Sequence, residues 1–563
     1  MRGYKVYFST ADKLVTAQPG ENLLALARRV GVHLDSSCGG NGSCKQCRVR
    51  VCTGPYPKQM IMSDPRRFVQ ADNGSPAPPN ETVGGEPLYL ACRGCVMGDL
   101  VVEAVPRVQQ ARTLVRKQLK GMKVPVDRPD LPADALVAAV DMGSTTIAGY
   151  LVDLQSGEII AQSSRENSQI PYGGDILTRV SHTERYPDGL ETLKKLARQD
   201  LAAVLELLRK QAGARKVMSI AVCGNSVIQS LLMSWDVLRL GSHPFEPVSV
   251  APQVLKGRDL DLSSFTDVET YVMPMEAGFI GGDNVAAILA AGLDEFEGVA
   301  LLMDIGTNAE IVVGGKNGLL VGSTPTGPAF EGGAISFGMR AARGAIDTVD
   351  WVPANTRTVI STIGNIPPVG ICGSGIIDTV AALWRSGMID QDGKMLESRF
   401  TRMNAEGMRE VVLVGTKQEA VTPEGVIMKA EKDIVFSQKD LRELQLAKAA
   451  LATGAEIMVK KIGRLPDKLI LAGGFGSYLD VESAVAIGLI PNLPRERIEV
   501  AGNSAGLGVA MAAASLKERA RAERIARATK HIPLPDEPEF QDLLLANIAF
   551  PTLQEPPPEL PKT

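Results

Sequence analysis

The strongest constraint on the fold is a strand–turn–strand pattern that occurs twice in the chain. LVAAVDMGSTTIAGYLVD (136–153) and VALLMDIGTNAEIVVG (299–314) each run from an apolar strand through Asp-x-Gly-[Ser/Thr] into a second strand. Their aspartates, Asp141 and Asp304, lie 163 positions apart, which is the length of a domain. Apolar strands, glycine turns and helical stretches alternate after residue 136, as is typical of α/β architecture. The repeat therefore predicts two similar domains in tandem that face one cleft.

The residue types at the two turns suit phosphate binding. Gly at the tip of a β-hairpin lets backbone N–H groups approach phosphate oxygens, to which Ser and Thr hydroxyls also donate. An Asp carboxylate there holds Mg²⁺, usually through water, or orients the attacking water. Both turns resemble the phosphate motifs of the actin, sugar-kinase and Hsp70 superfamily, whose halves are RNase H-like. The resemblance implies catalytic roles for Asp141 and Asp304 and nucleotide contacts at Gly143, Ser144, Thr145, Thr146, Gly306, Thr307 and Asn308.

Two further glycine-rich turns extend this resemblance. KLILAGGFGSYLD (468–480) resembles the adenosine motif of the superfamily, and GICGSGIID (370–378) is a strand-to-helix turn. The candidate nucleotide contacts in them are Gly373, Ser374, Gly375, Gly473, Gly474 and Phe475. Together the motifs predict an ATP-binding cleft. A degenerate actin-like scaffold without turnover is the alternative.

Six of the eight cysteines fall between positions 38 and 95, and such clustering indicates metal or redox chemistry. The spacing Cys38-x5-Cys44-x2-Cys47, with Cys92 after 44 intervening residues, is similar to the plant-type [2Fe–2S] ferredoxin pattern. The first gap is one residue longer, as in the adrenodoxin-like branch. Glycines at 39, 40 and 42 allow the sharp turn that three converging thiolates need. We therefore expect a [2Fe–2S] cluster held by Cys38, Cys44, Cys47 and Cys92.

A zinc ribbon is the rival interpretation of the cysteines. Cys44-x2-Cys47 and Cys92-x2-Cys95 form two knuckles, which would supply four thiolate ligands. The gap between them is much longer than in a usual ribbon, and a ribbon leaves Cys38 and its glycines without a role. Cys92 is favoured over Cys95 as the fourth ligand, although this choice is the least determined. Cys52 and Cys95 are then non-ligands.

The motifs divide the chain into regions. We predict a ferredoxin-type domain at 1–105, with the α+β β-grasp fold of ferredoxins, followed by a linker at 106–135. Two actin-like halves at 136–298 and 299–515 precede a C-terminal helix and proline-rich tail at 516–563. The Pro- and Gly-rich stretch 53–87 predicts a long surface loop, and KERARAERIARATKH (517–531) predicts a solvent-exposed helix.

Composition excludes several classes of protein. The net charge of −4 gives no general reason to expect nucleic-acid binding. No apolar run approaches the roughly 20 residues that a membrane span needs, and MRGYKVYFST lacks the apolar region of a signal peptide. We therefore expect a cytoplasmic protein.

The whole arrangement resembles the reductive activators of corrinoid proteins, which fuse a ferredoxin domain to an actin-like ATPase. The resemblance covers nearly the full chain and rests on CGGNGSCKQCRV, VDMGSTTIAGYLVDL, NSQIPYGGDILTRV, MDIGTNAEIVVG, GICGSGIID, FSQKDLRELQLAKAA and LAGGFGSYLD. Two features depart from the family pattern. The loop between Cys47 and Cys92 is long, and Asn-Ala follows Thr307 where Asn-Gly is usual.

The family resemblance implies an ATP-hydrolysing electron-transfer enzyme. One electron passes from the [2Fe–2S] cluster to the inactive Co(II) corrinoid of a partner protein and restores Co(I) for methyl transfer. The implied cofactors are the cluster, ATP and Mg²⁺. The implied partners are a corrinoid protein of a methyltransferase or demethylase system and an upstream reductant, and homodimers occur in the family.

Two other functions remain open from the residues alone. One is a small-molecule kinase with a regulatory iron–sulfur cluster, and the other is a redox-sensing clamp. Asp175 and Asp283 are further weak candidates that face nucleotide or partner, with turn or capping roles equally favoured.

Overall fold

The computed structural model describes residues 3–32, 34, 36, 38–40, 42, 45, 47–70, 74–83, 86–105, 119–351, 357–476 and 479–553. The chain forms two compact units, Met1–Gln110 with Ser168–Leu193, and Ala111–Asn167 with Lys194–Thr563. Residues 168–193, which the sequence pattern assigned to the first actin-like half, thus pack with the cysteine-rich N-terminal region. Cys44, residues 106–118 of the predicted linker and residues 554–563 of the tail lie outside the described residues.

The first unit is built on a mixed sheet. Its elements are β1 (Tyr4–Phe8), β2 (Lys13–Ala17), β3 (Glu21–Asn22), α1 (Leu23–Arg29), β4 (Arg48–Cys52), β5 (Gly54–Tyr56), β6 (Ile61–Ser63), β7 (Phe68–Gln70), β8 (Glu81–Val83), β9 (Glu86–Leu90), β10 (Gly94–Val96), β11 (Leu100–Ala104) and α2 (Ile176–Arg185). One sheet has the order β2-β1-β11-β4-β9-β8 and another the order β3-β10-β7. The β1–β11 pair is parallel, whereas β1–β2 and β11–β4 are antiparallel.

Helix α1 covers the core of this unit. It begins after Asn22 because the Asn22 side chain accepts hydrogen bonds from the backbone N–H groups of Leu24 and Ala25. Its apolar face, which includes Leu23 and Leu26, is buried in the same core as Phe8 of β1. A helix packed on a mixed sheet confirms the predicted β-grasp architecture.

The prediction of a long surface loop at 53–87 is wrong for the described residues of that stretch. Four short strands, β5 to β8, lie there together with the beginning of β9. Phe68 is fully buried and begins β7, which pairs with β10. The many Pro and Gly residues hide the two-residue periodicity of such short strands.

Side chains of segment 168–193 form hydrogen bonds within the segment itself. Arg179 is fully buried, and its guanidinium donates to the Gly173 carbonyl (3.0 Å) and to Oε1 of Gln169 (3.1 Å). Asp175 is the N-cap of α2, where its carboxylate accepts a hydrogen bond from the Thr178 N–H (2.9 Å). Two roles were open for Asp175, and the structure shows the capping role.

The first half of the second unit carries the first Asp-x-Gly motif. Its elements are β12 (Leu136–Met142), β13 (Thr146–Asp153), β14 (Ile159–Glu166), α3 (Gly189–Gln211), β15 (Val217–Gly224), α4 (Ser226–Leu232), β16 (Gln253–Lys256), β17 (Glu269–Val272) and α5 (Gly282–Ala291). The strand order is β14-β13-β12-β15-β17-β16.

The second half repeats this arrangement and adds smaller sheets. Its strands are β18 (Ala300–Ile305), β19 (Asn308–Gly315), β20 (Gly318–Pro325), β21 (Ala345–Asp350), β22 (Thr358–Thr362), β23 (Gly370–Ile371), β24 (Thr401–Met403), β25 (Arg409–Val414), β26 (Ala420–Val421), β27 (Ile427–Met428), β28 (Ile434–Ser437), β29 (Lys468–Ala472), β30 (Ile498–Gly502) and β31 (Lys530–His531). Its helices are α6 (Gly373–Arg385), α7 (Gln438–Ile462), α8 (Gly473–Gly476), α9 (Val481–Ala486), α10 (Ser504–Ala514), α11 (Leu516–Ala528) and α12 (Phe540–Ala546). The main sheet has the order β30-β29-β18-β19-β20-β31.

The two main sheets share one topology. Each contains three antiparallel strands, β12–β14 or β18–β20. The first of these strands pairs in parallel with a later strand, β15 or β29. Helices α5 and α10 pack closely, since a methyl group on Gly508 would lie 1.9 Å from the Ala286 carbonyl oxygen. The predicted tandem of RNase H-like halves is confirmed.

The prediction of a solvent-exposed helix at the C-terminal end is wrong on one face of α11. Ala522 and Ile525 are buried there, and Arg519 donates to Oε1 of Glu269 (2.9 Å) while its guanidinium covers the Tyr271 ring. Arginine stems pack on apolar surface, so a charged sequence does not exclude a buried face. In the described part of the chain, no helix is both long and apolar enough to cross a membrane.

Candidate functional site

Two of the predicted cluster ligands lie side by side. Cys47, just before β4, is buried, and the backbone N–H of Cys92 donates to its sulfur at 3.5 Å. The hydrogen bond with the Cys92 side chain is the main cause that lowers the pKa of Cys47, while burial opposes it. A lowered pKa favours the thiolate, which is the metal-binding form. Cys47 and Cys92 are thus neighbours, and Cys44 lies outside the described residues.

The backbone around these cysteines is left-handed at the predicted glycines. The φ angles of Gly39, Gly40 and Gly42 are +65°, +104° and +86°, which side-chain-bearing residues rarely adopt. A methyl group on Gly42 would also lie 2.2 Å from the Arg93 side chain. A tight loop of this kind with converging sulfurs fits the ligand set of a [2Fe–2S] cluster.

The two cysteines predicted as non-ligands stand in strands. Cys95 lies in β10, where its register partners are Asn22 and Val69, and burial raises the pKa of its thiol. Cys52 ends β4 and hydrogen-bonds with Tyr56.

The first phosphate hairpin joins β12 to β13. Asp141 is buried near the end of β12, opposite Ala148. In the turn, Oγ1 of Thr145 donates to Oε2 of Glu331 in the second half (3.0 Å). The side-chain amide of Asn167 donates to the Gly143 carbonyl (2.9 Å) and braces the turn from β14. Glu331 and Asn167 were not among the residues selected from the sequence.

The second phosphate hairpin joins β18 to β19 and touches the adenosine motif. Asp304 lies opposite Glu310 in β19 and beside Ala472, the last residue of β29. Gly473 follows with a φ of +91°, and a methyl group there would lie 2.5 Å from Oδ1 of Asp304. Glycine is therefore required where the second and third motifs meet.

Two buried carboxyl groups near the hairpins, those of Asp283 and Glu310, have raised pKa values. Burial, followed by the charges of Asp141 and Asp304, raises the pKa of Asp283 to about 7. Burial, followed by the charges of Asp283 and Asp304, raises the pKa of Glu310 well above its usual range. In the described part of the chain, no three of these carboxylates are arranged to hold a metal ion; Mg²⁺ commonly binds one or two carboxylates together with water and substrate phosphates. Glu310 was missed from the sequence, although pairing across the short 306–308 turn places it opposite Asp304.

The remaining candidate residues occupy turns and element starts. Gly373, Ser374 and Gly375 form the first turn of α6, and a methyl group on Gly375 would lie 2.3 Å from the Ile346 carbonyl oxygen. Thr307 is buried and its carbonyl accepts from the Gly327 N–H (3.0 Å). Thr146 and Asn308 are the first residues of β13 and β19, Gly306 lies in the second turn, and Gly474 and Phe475 lie in α8, where the Phe475 side chain is outside the described part.

Three family profiles match consecutive parts of the chain. Residues 9–96 match the 2Fe-2S iron-sulfur cluster binding domain, residues 136–296 the RACo middle region, and residues 298–560 the C-terminal domain of RACo, the ASKHA domain. These ranges include the cysteine loop and both phosphate hairpins.

Two relatives and one solved structure match most of the chain. The chain is 30% identical to corrinoid activation enzyme RamQ of Eubacterium limosum, over 97% of this chain and 99% of RamQ. It is 21% identical to the [Co(II) methylated amine-specific corrinoid protein] reductase of Methanosarcina barkeri, over 73% and 76% of the two chains. A solved structure described as a reductive activator for corrinoid, iron-sulfur protein superposes with a TM-score of 0.67 at 27% identity, over 97% and 98% of the chains.

Proposed function

The chain belongs to the family of reductive activators of corrinoid proteins, and we propose on this premise that it restores an oxidised corrinoid protein to activity. The substrate is the inactive Co(II) corrinoid of a partner protein, which gains one electron and becomes Co(I). The observation that carries the proposal is the combination, in one chain, of the Cys47–Cys92 contact beside a glycine-rich cysteine loop with two Asp-x-Gly hairpins.

Cys38, Cys44, Cys47 and Cys92 would hold the [2Fe–2S] cluster in the first unit. When bound, the cluster supplies the single electron for cobalt, and a low-potential one-electron reductant must replace that electron. The Cys92 N–H donates to the Cys47 sulfur (3.5 Å), and hydrogen bonds to ligand sulfurs are a means of tuning the potential of such a cluster.

The cleft of the second unit would hold Mg-ATP. We assign Asp141 and Asp304 to the metal, and the turns at 143–145 and 306–308 to the phosphates. We propose Asp283, at the start of α5, as the group that accepts a proton from the attacking water. The Thr145–Glu331 hydrogen bond links the two halves, so phosphate binding at the turn can change their closure.

The coupling of ATP to electron transfer is tested directly by an assay of cobalt oxidation state. The full-length protein is mixed anaerobically with a Co(II) corrinoid protein and a chemical reductant, and Co(I) is followed by its visible absorption. We expect Co(I) to accumulate with Mg-ATP and not without it. Equal rate and extent with ATP omitted would contradict the proposal.

The fourth cluster ligand is tested by a matched pair of variants. Cys92→Ser should abolish the visible charge-transfer bands and reduce the iron content, whereas Cys95→Ser should leave both unchanged. Loss of the bands in Cys95→Ser alone would reverse the assignment.

The same proposal includes domain boundaries at 1–105, 136–298 and 299–515 and a homodimeric assembly. Limited proteolysis tests the boundaries, and sedimentation tests the assembly.

A further inference from the structure

Segment 168–193 contacts the cysteine loop through one arginine of α1. Arg28 donates through Nη1 to the Gly39 carbonyl (3.2 Å) and through Nη2 to Oγ of Ser36 (2.7 Å). The same Nη2 donates to the Pro171 carbonyl, which also accepts from Oγ of Ser36 (2.8 Å). One guanidinium therefore binds the backbone beside Cys38 and the beginning of segment 168–193.

The segment also covers this guanidinium with an aromatic stack. The Arg28 guanidinium lies 5.4 Å from the centre of the Tyr172 ring, within the range of a cation–π contact. Tyr172 packs on His182 at 5.1 Å, and His182 packs on Tyr186 at 4.6 Å between ring centres. Burial and the charge of Arg28 lower the pKa of His182 to about 4, so Arg28 carries the positive charge of this cluster at neutral pH.

The charge of Arg28 acts on the cluster ligands. The guanidinium is hydrogen-bonded to the carbonyl of Gly39, the residue that follows Cys38, so the charge lies beside the cysteine loop. Reduction adds one negative charge to a [2Fe–2S] cluster, and a positive charge that is shielded from water stabilises the reduced form. Tyr172 and Pro171 shield the Arg28 guanidinium from water. The shielding matters because a fully hydrated charge interacts much more weakly with the cluster.

We propose that segment 168–193 is a docking surface for the cysteine loop that holds Arg28 in place and thereby sets the reduction potential of the cluster. While the contact is made, the potential is high. When the contact opens, Arg28 becomes hydrated and the potential falls, which makes the cluster a stronger reductant. The inference rests on the cluster of the proposed function. It adds Arg28 and Tyr172 as positioning residues.

The central test compares two neighbouring arginines of the same helix. Arg28→Gln removes the guanidinium at the loop, and Arg29→Gln is the matched control because Arg29 is half-exposed and pairs with Glu21 at 2.8 Å. Dithionite titration of the full-length protein, followed by electron paramagnetic resonance, gives the potential at equal iron content. Arg28→Gln should lower the equilibrium constant for reduction about tenfold, or about 59 mV for one electron. Arg29→Gln should change it less than twofold.

A second variant separates docking from charge. Tyr172→Leu retains the guanidinium but removes the ring over it, so we expect a smaller fall in potential. Hydrogen exchange of the α2 amides, measured in the same samples, should be faster in Tyr172→Leu and Arg28→Gln than in Arg29→Gln. If Arg28→Gln does not bind iron, the redox titration and the hydrogen-exchange measurement are made on Arg28→Lys in its place.

Three results would overturn the inference: equal potentials in Arg28→Gln and Arg29→Gln, an unchanged potential in Tyr172→Leu, or unchanged exchange of α2. The titration uses neither ATP nor a corrinoid. It therefore gives its answer even if the protein fails to produce Co(I), and the two proposals fail independently.

Discussion

The two phosphate hairpins have the same strand pairing, but the second carries one more acidic side chain across the pair than the first. In the first, Asp141 faces Ala148 across the pair, whereas in the second, Asp304 faces Glu310. The first turn extends a hydroxyl to the other half, from Thr145 to Glu331. The second turn is tied within its own half, where Oγ1 of Thr326 donates to the Gly306 carbonyl (2.6 Å). The two hairpins thus share one backbone arrangement, and individual side chains give them different contacts.

This difference concentrates negative charge on one side of the cleft. Glu310 and Asp304 belong to the second half. Asp283 lies at the start of α5, the helix that precedes the second half in the chain. Burial first, and then the charges of neighbouring carboxylates, raise the pKa of both Asp283 and Glu310. A bound cation relieves the repulsion among these charges. From this comparison we predict that metal binding depends mainly on the second hairpin and closure on the first.

Asp304→Asn should have the largest effect on this division. The change removes one metal-binding carboxylate, and the charge stabilisation that a metal supplies is several kcal/mol. We expect ATP hydrolysis to fall about 10³-fold, measured as steady-state phosphate release with saturating Mg²⁺. Asp141→Asn is the matched change in the first hairpin and should have a smaller effect. A larger effect of Asp141→Asn would reverse the assignment.

Asp283→Asn should lower hydrolysis about 10²-fold and change its pH profile. Because the pKa of Asp283 is about 7, the carboxylate is protonated below that pH and can accept a proton only above it. The wild-type rate should rise with pH through this range, and the variant rate should not. An Asp283→Asn enzyme that retains the ascending limb would exclude this residue as the base.

Glu310→Gln should have an intermediate effect and should also alter stability. We expect about tenfold weaker Mg²⁺ binding by titration calorimetry in the presence of ATP. The raised pKa means that the folded state holds this proton more tightly than the unfolded state does. The stability from that proton is complete below the ordinary value of 4.5 and declines as pH rises toward the raised pKa.

The metal-free variant should therefore melt at a higher temperature than the wild type at pH 8, and at nearly the same temperature at pH 4. Glu276→Gln is the matched control, since Glu276 is also buried with a raised pKa but is bonded to Asn284. It should stabilise the protein without weakening Mg²⁺ binding. Equal Mg²⁺ affinities in the two variants would show that Glu310 does not contribute to the metal site.

Thr145→Val should have the smallest effect. It removes the hydroxyl that bonds Glu331 across the halves, and a hydrogen bond of this kind contributes about 1 kcal/mol. We expect the KM for ATP to rise about fivefold with kcat nearly unchanged, because closure and not chemistry is affected. Thr145→Ser keeps the hydroxyl and should restore the wild-type KM. No rescue by serine would mean that the methyl group, rather than the bond, matters.

Much of the fold was predictable because its patterns are local. The strands that end at Asp141 and Asp304 and the glycines of the cysteine loop follow from apolar runs and turn residues. The short strands between 53 and 87 could not be predicted, because pairing with distant partners and not periodicity defines them. The buried face of α11 was missed for a similar reason, since Arg519 is buried only where Glu269 and Tyr271 receive it.

By itself the sequence determined which chemical groups exist and in which order: the cysteine spacing, the duplicated Asp-x-Gly hairpin and the third glycine turn. Spacing is a property of the chain, so it survives without coordinates. Only the tertiary structure decided which groups meet. It placed Glu310 opposite Asp304, Asp283 within the influence of the charges of Asp141 and Asp304, and Pro171 against Arg28, more than a hundred residues away in the chain. Such contacts depend on packing between distant elements, and their pKa shifts arise from burial and neighbouring charge, which no local pattern contains.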